Sequence, residues 1–199
     1  QPAYAIERLD IAGTSTGATA DLVVNLTIVI HQSGWVGIPL RFNGAVLREA
    51  PKYAGPGPLV MHVDPEGDGH VTWIRGESHQ KHQVSLKLMA NGEQVGPQSR
   101  LKLAVPQATV SQLVLNIPLP KAEATVSDGS KLDAVRSLAG AKTEIKVLGL
   151  TGDFELTWHP SDSKVAGLPT ILEASSTQLI RINGRSANTD VKLTVRSLG

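Results

Sequence analysis

The chain reads as an all-β protein, an antiparallel β-sandwich of the immunoglobulin-like class with at most one short helix. Three observations predict it. Apolar and polar residues alternate along run after run, a period of two that places the apolar set on one face of a strand. The runs are short and recur at intervals of roughly ten residues, with Gly, Pro, Asn and Asp between them, as in sandwiches and barrels. The aromatic share is only 4%, so the core must be filled by Val, Leu and Ile, a palette that favours strands. A sandwich is preferred to a barrel because two strands carry prolines suited to sheet edges, and a closed barrel has no edges.

The clearest strand holds Leu22, Val24, Leu26, Ile28 and Ile30 on one face. The next holds Val36, Ile38, Leu40 and Phe42, and Gln32-Ser33-Gly34 between the two suits a hairpin. Pro39 lacks the N–H that a central ladder needs, which predicts a sheet edge. Residues Ala50 to Pro58 carry three prolines and two glycines, a long exposed loop and the one best suited to meet a partner.

Further strands are predicted at Val84, Leu86 and Leu88, at Leu101, Leu103 and Val105, and at Leu113, Leu115, Ile117 and Leu119. Ala90-Asn91-Gly92 supplies a left-handed turn after the first of these. Pro118 repeats the device of Pro39, since Ile-Pro-Leu occurs at both 38–40 and 117–119 and marks where strands stop. Leu132, Val135 and Leu138, three apart and followed by Gly140, predict a short helix over Ser130 to Leu138. Thr143 to Leu150 and Phe154 to Trp158 flank Thr151-Gly152-Asp153 as a hairpin, and a last hairpin joins Gln178–Asn183 to Val191–Val195 through Gly184.

The more polar stretch after Pro120-Lys121 suggests two β-rich modules, 1–120 and 121–199, with one continuous sandwich as the rival reading. Asp190-Val191-Lys192-Leu193-Thr194-Val195 echoes Asp21-Leu22-Val23-Val24-Asn25-Leu26, as it would if the smaller module began a further repeat. The start at Gln1 without Met reads as a processed protein or an excised piece of a larger one.

Composition narrows the function classes. Net charge is +1, from 19 basic and 18 acidic residues, so no field steers the chain to nucleic acid or an acidic membrane. No apolar run approaches the roughly 20 residues of a membrane helix, so no membrane insertion by this segment is expected. Cysteine is absent, which removes disulfides, thiolate nucleophiles and Cys-ligated metals.

Catalytic constellations are scarce in the sequence. Ser33, Ser78 and Ser85 stand outside any Gly-x-Ser-x-Gly elbow. Nothing selects a glycosidase pair from Glu7, Asp21, Glu49, Glu66, Glu77 and Asp153, and no Walker loop or dinucleotide fingerprint occurs. Asp64, Glu66 and Asp68 alternate before Gly69 as in calcium loops, but Arg75 stands at the twelfth position, where a bidentate carboxylate belongs. The simpler reading is a polar turn, so no cofactor is expected beyond this weak calcium site. His79 and His82, with His70 upstream, are potential transition-metal ligands, but residues three apart face opposite ways on a strand, so the simpler reading is exposed histidines.

Trp35, Trp73 and Trp158 fit an inward-facing series and are expected in the core, with Trp35 and Trp73 as the alternative platform for a sugar ring. The leading expectation is therefore no enzyme but a structural or binding module of a larger bacterial envelope or secreted protein, periplasmic or extracellular. Its partner would be a protein or a glycan. A carbohydrate-binding module using Trp, and a metal-dependent hydrolase on Asp64 to His82, are the alternatives.

Overall fold

The alternating runs become strands because each buries one face: Leu22, Val24, Leu26, Ile28 and Ile30 are all buried, while Asp21, Val23 and Asn25 between them are exposed. The structure is a computed structural model, described for residues 2–64, 67, 69–127, 129–161, 171–183 and 186–198. Among these residues there is no helix.

The strands are β1 (Tyr4–Ser15), β2 (Thr19–Ile30), β3 (Gly34–Arg41), β4 (Val46–Leu47), β5 (Lys52–Ala54), β6 (Leu59–Asp64), β7 (Gly69–Gly76) and β8 (Lys81–Val95). They continue with β9 (Gln98–Ala104), β10 (Val110–Ile117), β11 (Ala122–Val126), β12 (Lys131–Leu138), β13 (Lys142–Leu148), β14 (Asp153–Pro160), β15 (Ile171–Asn183) and β16 (Ser186–Leu198). The chain divides into two compact units, Gln1–Asp162 and Ser163–Gly199.

In the first unit an eleven-stranded sheet runs β11-β14-β9-β8-β2-β1-β10-β13-β12, with β4 and β5 added on β8. Its pairs are antiparallel except β1 with β10, which is parallel. β8 pairs with β2 as far as Asn91↔Thr19 and with β9 from Gly92↔Leu101, so one strand serves both halves of the sheet. A separate sheet, β3-β7-β6, contributes Val36, Ile38, Leu40 and Ile74 to the same core. The result is a sandwich-like all-β arrangement around aliphatic side chains, as the palette implied.

Several local expectations are overturned by strand pairing. Gln32-Ser33-Gly34 closes no hairpin, because β2 pairs with β1 and β8 while β3 pairs with β7 in the other sheet. Thr151-Gly152-Asp153 likewise joins β13, on β10, to β14, on β9. Ala90-Asn91-Gly92 is no turn; the chain reverses at Gly96-Pro97, where Gly96 takes a φ of 60° and Val95 pairs with Gln98.

Residues 131–138 form β12 and no helix, paired with β13 through a register shift between Leu132 and Ala134. That irregularity adds a residue, so Leu132 and Val135 both pack on the core although they stand three apart.

The prolines do what their missing N–H requires. Pro39 lies in β3, at the end of the three-stranded sheet, and β10 stops at Ile117, before Pro118. The boundary expected at 120/121 falls inside the first unit. β11 and β14 extend the half that contains β9, and β13 pairs with β10, because Ile145, Val147, Phe154, Leu156 and Trp158 need the core that the earlier strands build.

Among its described residues the second unit holds an antiparallel pair, β15 with β16, from Ile171↔Leu198 to Asn183↔Ser186, longer than the strands expected at 178–183 and 191–195.

Candidate functional site

In β3 and β7 the inward positions are even-numbered, and Val36, Ile38, Leu40, His70, Thr72 and Ile74 are all buried, whereas in β6 the odd-numbered Leu59 and Met61 pack on the core. The odd positions of β3 and β7, and the even ones of β6, therefore face outward. Trp35 is 48% exposed and Trp73 41%, so the core expected for both is overturned, whereas Trp158 at 2% fulfils it. Parity explains the error. Trp35 alternates with the apolar set of its own strand, and in β7 the buried positions belong to His70 and Thr72, which conceals the register from a hydropathy reading.

Trp35 stands opposite Arg75, and Gly37 opposite Trp73. The two tryptophans are thus diagonal cross-strand neighbours, a relation that brings large side chains within reach at roughly 7–8 Å. On the other side Val60 of β6, also exposed, is paired with Trp73, and His62 with Val71.

Gly37 sets the posture of Trp73. A Cβ at Gly37 would lie 3.0 Å from both Cη2 and Cζ2 of the indole and 3.2 Å from Cε2, so the ring lies over the bare glycine backbone. The indole thus lies within contact distance of the Gly37 backbone, while His62, diagonal to Trp73 on β6, and Arg75, two residues on along β7, hold neighbouring outward positions. Gly37→Val is expected to lift the ring off β3. The fold should persist, with a stability change within about 1 kcal/mol, while near-UV dichroism reports a displaced indole.

Buried polar groups under this sheet are satisfied locally. Thr72 Oγ1 donates to the Val60 carbonyl at 3.4 Å, and His70 Nδ1 lies 3.3 Å from the Arg41 carbonyl oxygen.

The histidines are not the exposed set the sequence suggested. His70 and His82 are buried, and His82 shares its face with Val84, Leu86 and Leu88, a signal available from parity alone. His79 sits in the preceding turn at a φ of 67°, its ring 6.1 Å from that of His31. Among the described residues no group of three or more His, Asp or Glu converges as a metal would need. Asp64 ends β6 opposite Gly69, while Glu66 and Asp68, the other members of the calcium reading, lie outside the described residues.

The long loop contains two features that the sequence did not reveal. Residues 52–54 form β5 on the edge of β8, with Tyr53 opposite Val84. Tyr53 Oη donates to the Pro56 carbonyl at 2.9 Å and lies 2.8 Å from His82 Nδ1, with the two rings stacked 10° from parallel. The following residues reach the tryptophan-bearing sheet, where the Arg75 amide donates to the Pro58 carbonyl at 3.1 Å.

No protein-family model matches the chain, and no curated protein matches it. Among solved structures it is similar to an M1 zinc metallopeptidase from Deinococcus radiodurans bound to a Tyr-Ser-Ala substrate, with 12% identity and a TM-score of 0.49. The similarity covers 97% of this chain and 48% of that one.

Proposed function

We propose that the chain is a non-catalytic binding module of a larger bacterial envelope or secreted protein, periplasmic or extracellular, and that the outer face of β3-β7-β6 binds carbohydrate through Trp35 and Trp73. The observation that carries this reading is the exposure of two neighbouring indoles on a sheet whose other face builds the core. An exposed indole forgoes burial worth about 1.5–3 kcal/mol for a large apolar side chain, and a sugar stacked on its face recovers part of it.

Trp73 lies against the bare Gly37 backbone with 41% of its surface exposed, which leaves indole surface for the C–H face of a pyranose, and Arg75 and His62 at neighbouring outward positions supply polar groups for ring hydroxyls. Near-zero net charge favours a neutral ligand over a charged polymer. Membership of the immunoglobulin-like class is part of the same proposal, supported by predominantly antiparallel strands around a single core.

The test is titration calorimetry with soluble β-glucan, chitooligosaccharides and peptidoglycan fragments. Binding to at least one is expected, weakened about tenfold by either Trp35→Ala or Trp73→Ala and about a hundredfold by both, at roughly 1.4 kcal/mol per ring. Equal binding by the double variant, or silence of the wild type toward every glycan, would refute the carbohydrate reading and leave a protein-binding or structural module.

A further inference from the structure

We propose that His82 and Tyr53 form a pH-sensitive latch that holds the loop after β5 against β7, and that protonation of His82 releases the loop and loosens the Trp35 side of the binding face. The gating role rests on the carbohydrate reading of that face; the latch itself does not.

The hydrogen-bond geometry fixes the tautomer. Tyr53 has one hydroxyl proton, and it goes to the Pro56 carbonyl. The 2.8 Å contact with His82 Nδ1 then requires Nδ1–H to donate to Tyr53 Oη. Nε2 is left as a bare lone pair, buried, with no hydrogen-bond partner among the described residues. A proton arriving there would create a charged N–H without an acceptor, in a ring with 0% exposure.

The surroundings give the ring nowhere to turn. A Cβ on Gly55 would come within 2.7 Å of Nδ1, and one on Gly76 within 3.2 Å of Cε1, so both glycines are needed to close the loop and the end of β7 around the imidazole. Ile28 is its partner in β2.

Tyr53 is the ionisable side chain that both stacks on the ring and meets its Nδ1. Lys52 on β5, Arg75 at the end of β7, Glu77 beyond it, and Lys81 with its ion-pair partner Glu7 are all exposed, and Lys81 alternates onto the opposite face of β8. Desolvation accordingly lowers the pKa of His82 below its ordinary value, and burial raises that of Tyr53, which keeps its proton. The docked loop thus belongs to neutral His82. It is fully held above the ordinary imidazole range and lost as pH falls through the depressed value.

Release would propagate over a short path. Gly57 packs against the Arg75 carbonyl oxygen, Pro58 accepts the Arg75 amide, and Arg75 is the cross-strand partner of Trp35. Pro56, Gly57 and Pro58 share one depression with Gly34 and Arg75.

Hydrogen exchange of the Arg75 amide, corrected for intrinsic rate, reads the latch without any ligand. The wild type should lose protection about tenfold between about pH 7.5 and about pH 5. His82→Phe should abolish that dependence, and Tyr53→Phe, which keeps the stacked ring but deletes both hydrogen bonds, should lower protection at neutral pH. Protection that ignores pH in the wild type, or that still falls in His82→Phe, overturns the latch. Glycan affinity is the separate arm. If the Arg75 amide responds to pH while β-glucan or chitooligosaccharide affinity stays flat, the latch stands and the gate is refuted; absence of glycan binding at every pH instead refutes the carbohydrate reading.

Discussion

Trp158→Ala should cost about 3–5 kcal/mol, the range for deleting a large buried aromatic, whereas Trp35→Ala and Trp73→Ala should each stay within about 1 kcal/mol. The contrast follows from neighbours. On β14, Trp158 is paired with Ser99 of β9 and Ala124 of β11, so small residues on both flanking strands leave room for an indole that is 2% exposed. Nothing else fills that space, and neither Ser99 nor Ala124 can expand into it.

Urea denaturation measures the difference, with an unchanged slope confirming that only stability moved. A Trp35→Phe, Trp73→Phe protein, left with Trp158 alone, should emit at short wavelength and resist acrylamide until it unfolds. Equal losses from all three alanine variants would show that the exposed pair is structural and that the proposed platform is mistaken.

Alternation along the chain was sufficient to find β2, β3, β8, β9, β10, β13 and β14, half the strands of the first unit, and to choose Val, Leu and Ile as the core, because burial on one face is a local property of a strand. Partnership was not legible. Gly34 and Gly152 both have positive φ and sit in turn-like sequences, yet each links strands of different neighbourhoods, since a turn signal specifies a change of direction and not the strand that comes to lie alongside. The helix expected over 130–138 failed because a strand with a register shift imitates a helical spacing of three.

The proposed binding face was half legible. Trp35 has the opposite parity to Val36, Ile38 and Leu40, which already points it outward, but Trp73 shares parity with Val71 and could be placed only once His70 and Thr72 were found buried. The Tyr53–His82 contact was hidden for a different reason. Its imidazole is ordinary in sequence, and only the return of Tyr53 to the edge of β8 supplies the partner.

Gly92 shows how a residue type can be read correctly as special and for the wrong cause, and it yields the second large effect. Glycine there suggested a left-handed turn, but Gly92 is absent from the positive-φ positions and lies within a continuous strand. What it needs is space. A Cβ would fall on the Gly17 carbonyl oxygen and within 3.4 Å of the Ala18 carbonyl carbon, while the Gly92 amide donates to the Ala18 carbonyl oxygen at 2.8 Å.

The β1–β2 turn that presses on it cannot give way easily. Gly17 donates its amide to Ser15 Oγ at 3.0 Å, Ser15 Oγ donates to the Thr19 carbonyl at 2.9 Å, and Gly17 itself holds a φ of 97°. Gly92 is also where β8 changes partner from β2 to β9. Gly92→Val must therefore push the strand away from the turn at the point that joins both halves of the sheet. Overpacking of about 1–3 kcal/mol and the loss of the half-buried Gly92 amide's hydrogen bond at about 0.5–1.5 kcal/mol together predict roughly 1.5–4.5 kcal/mol of destabilisation in urea. Gly92→Ala should act in the same direction and less. A valine variant as stable as the wild type would mean that β8 can bow at Gly92 without cost, and that the join between the halves is softer than its contacts imply.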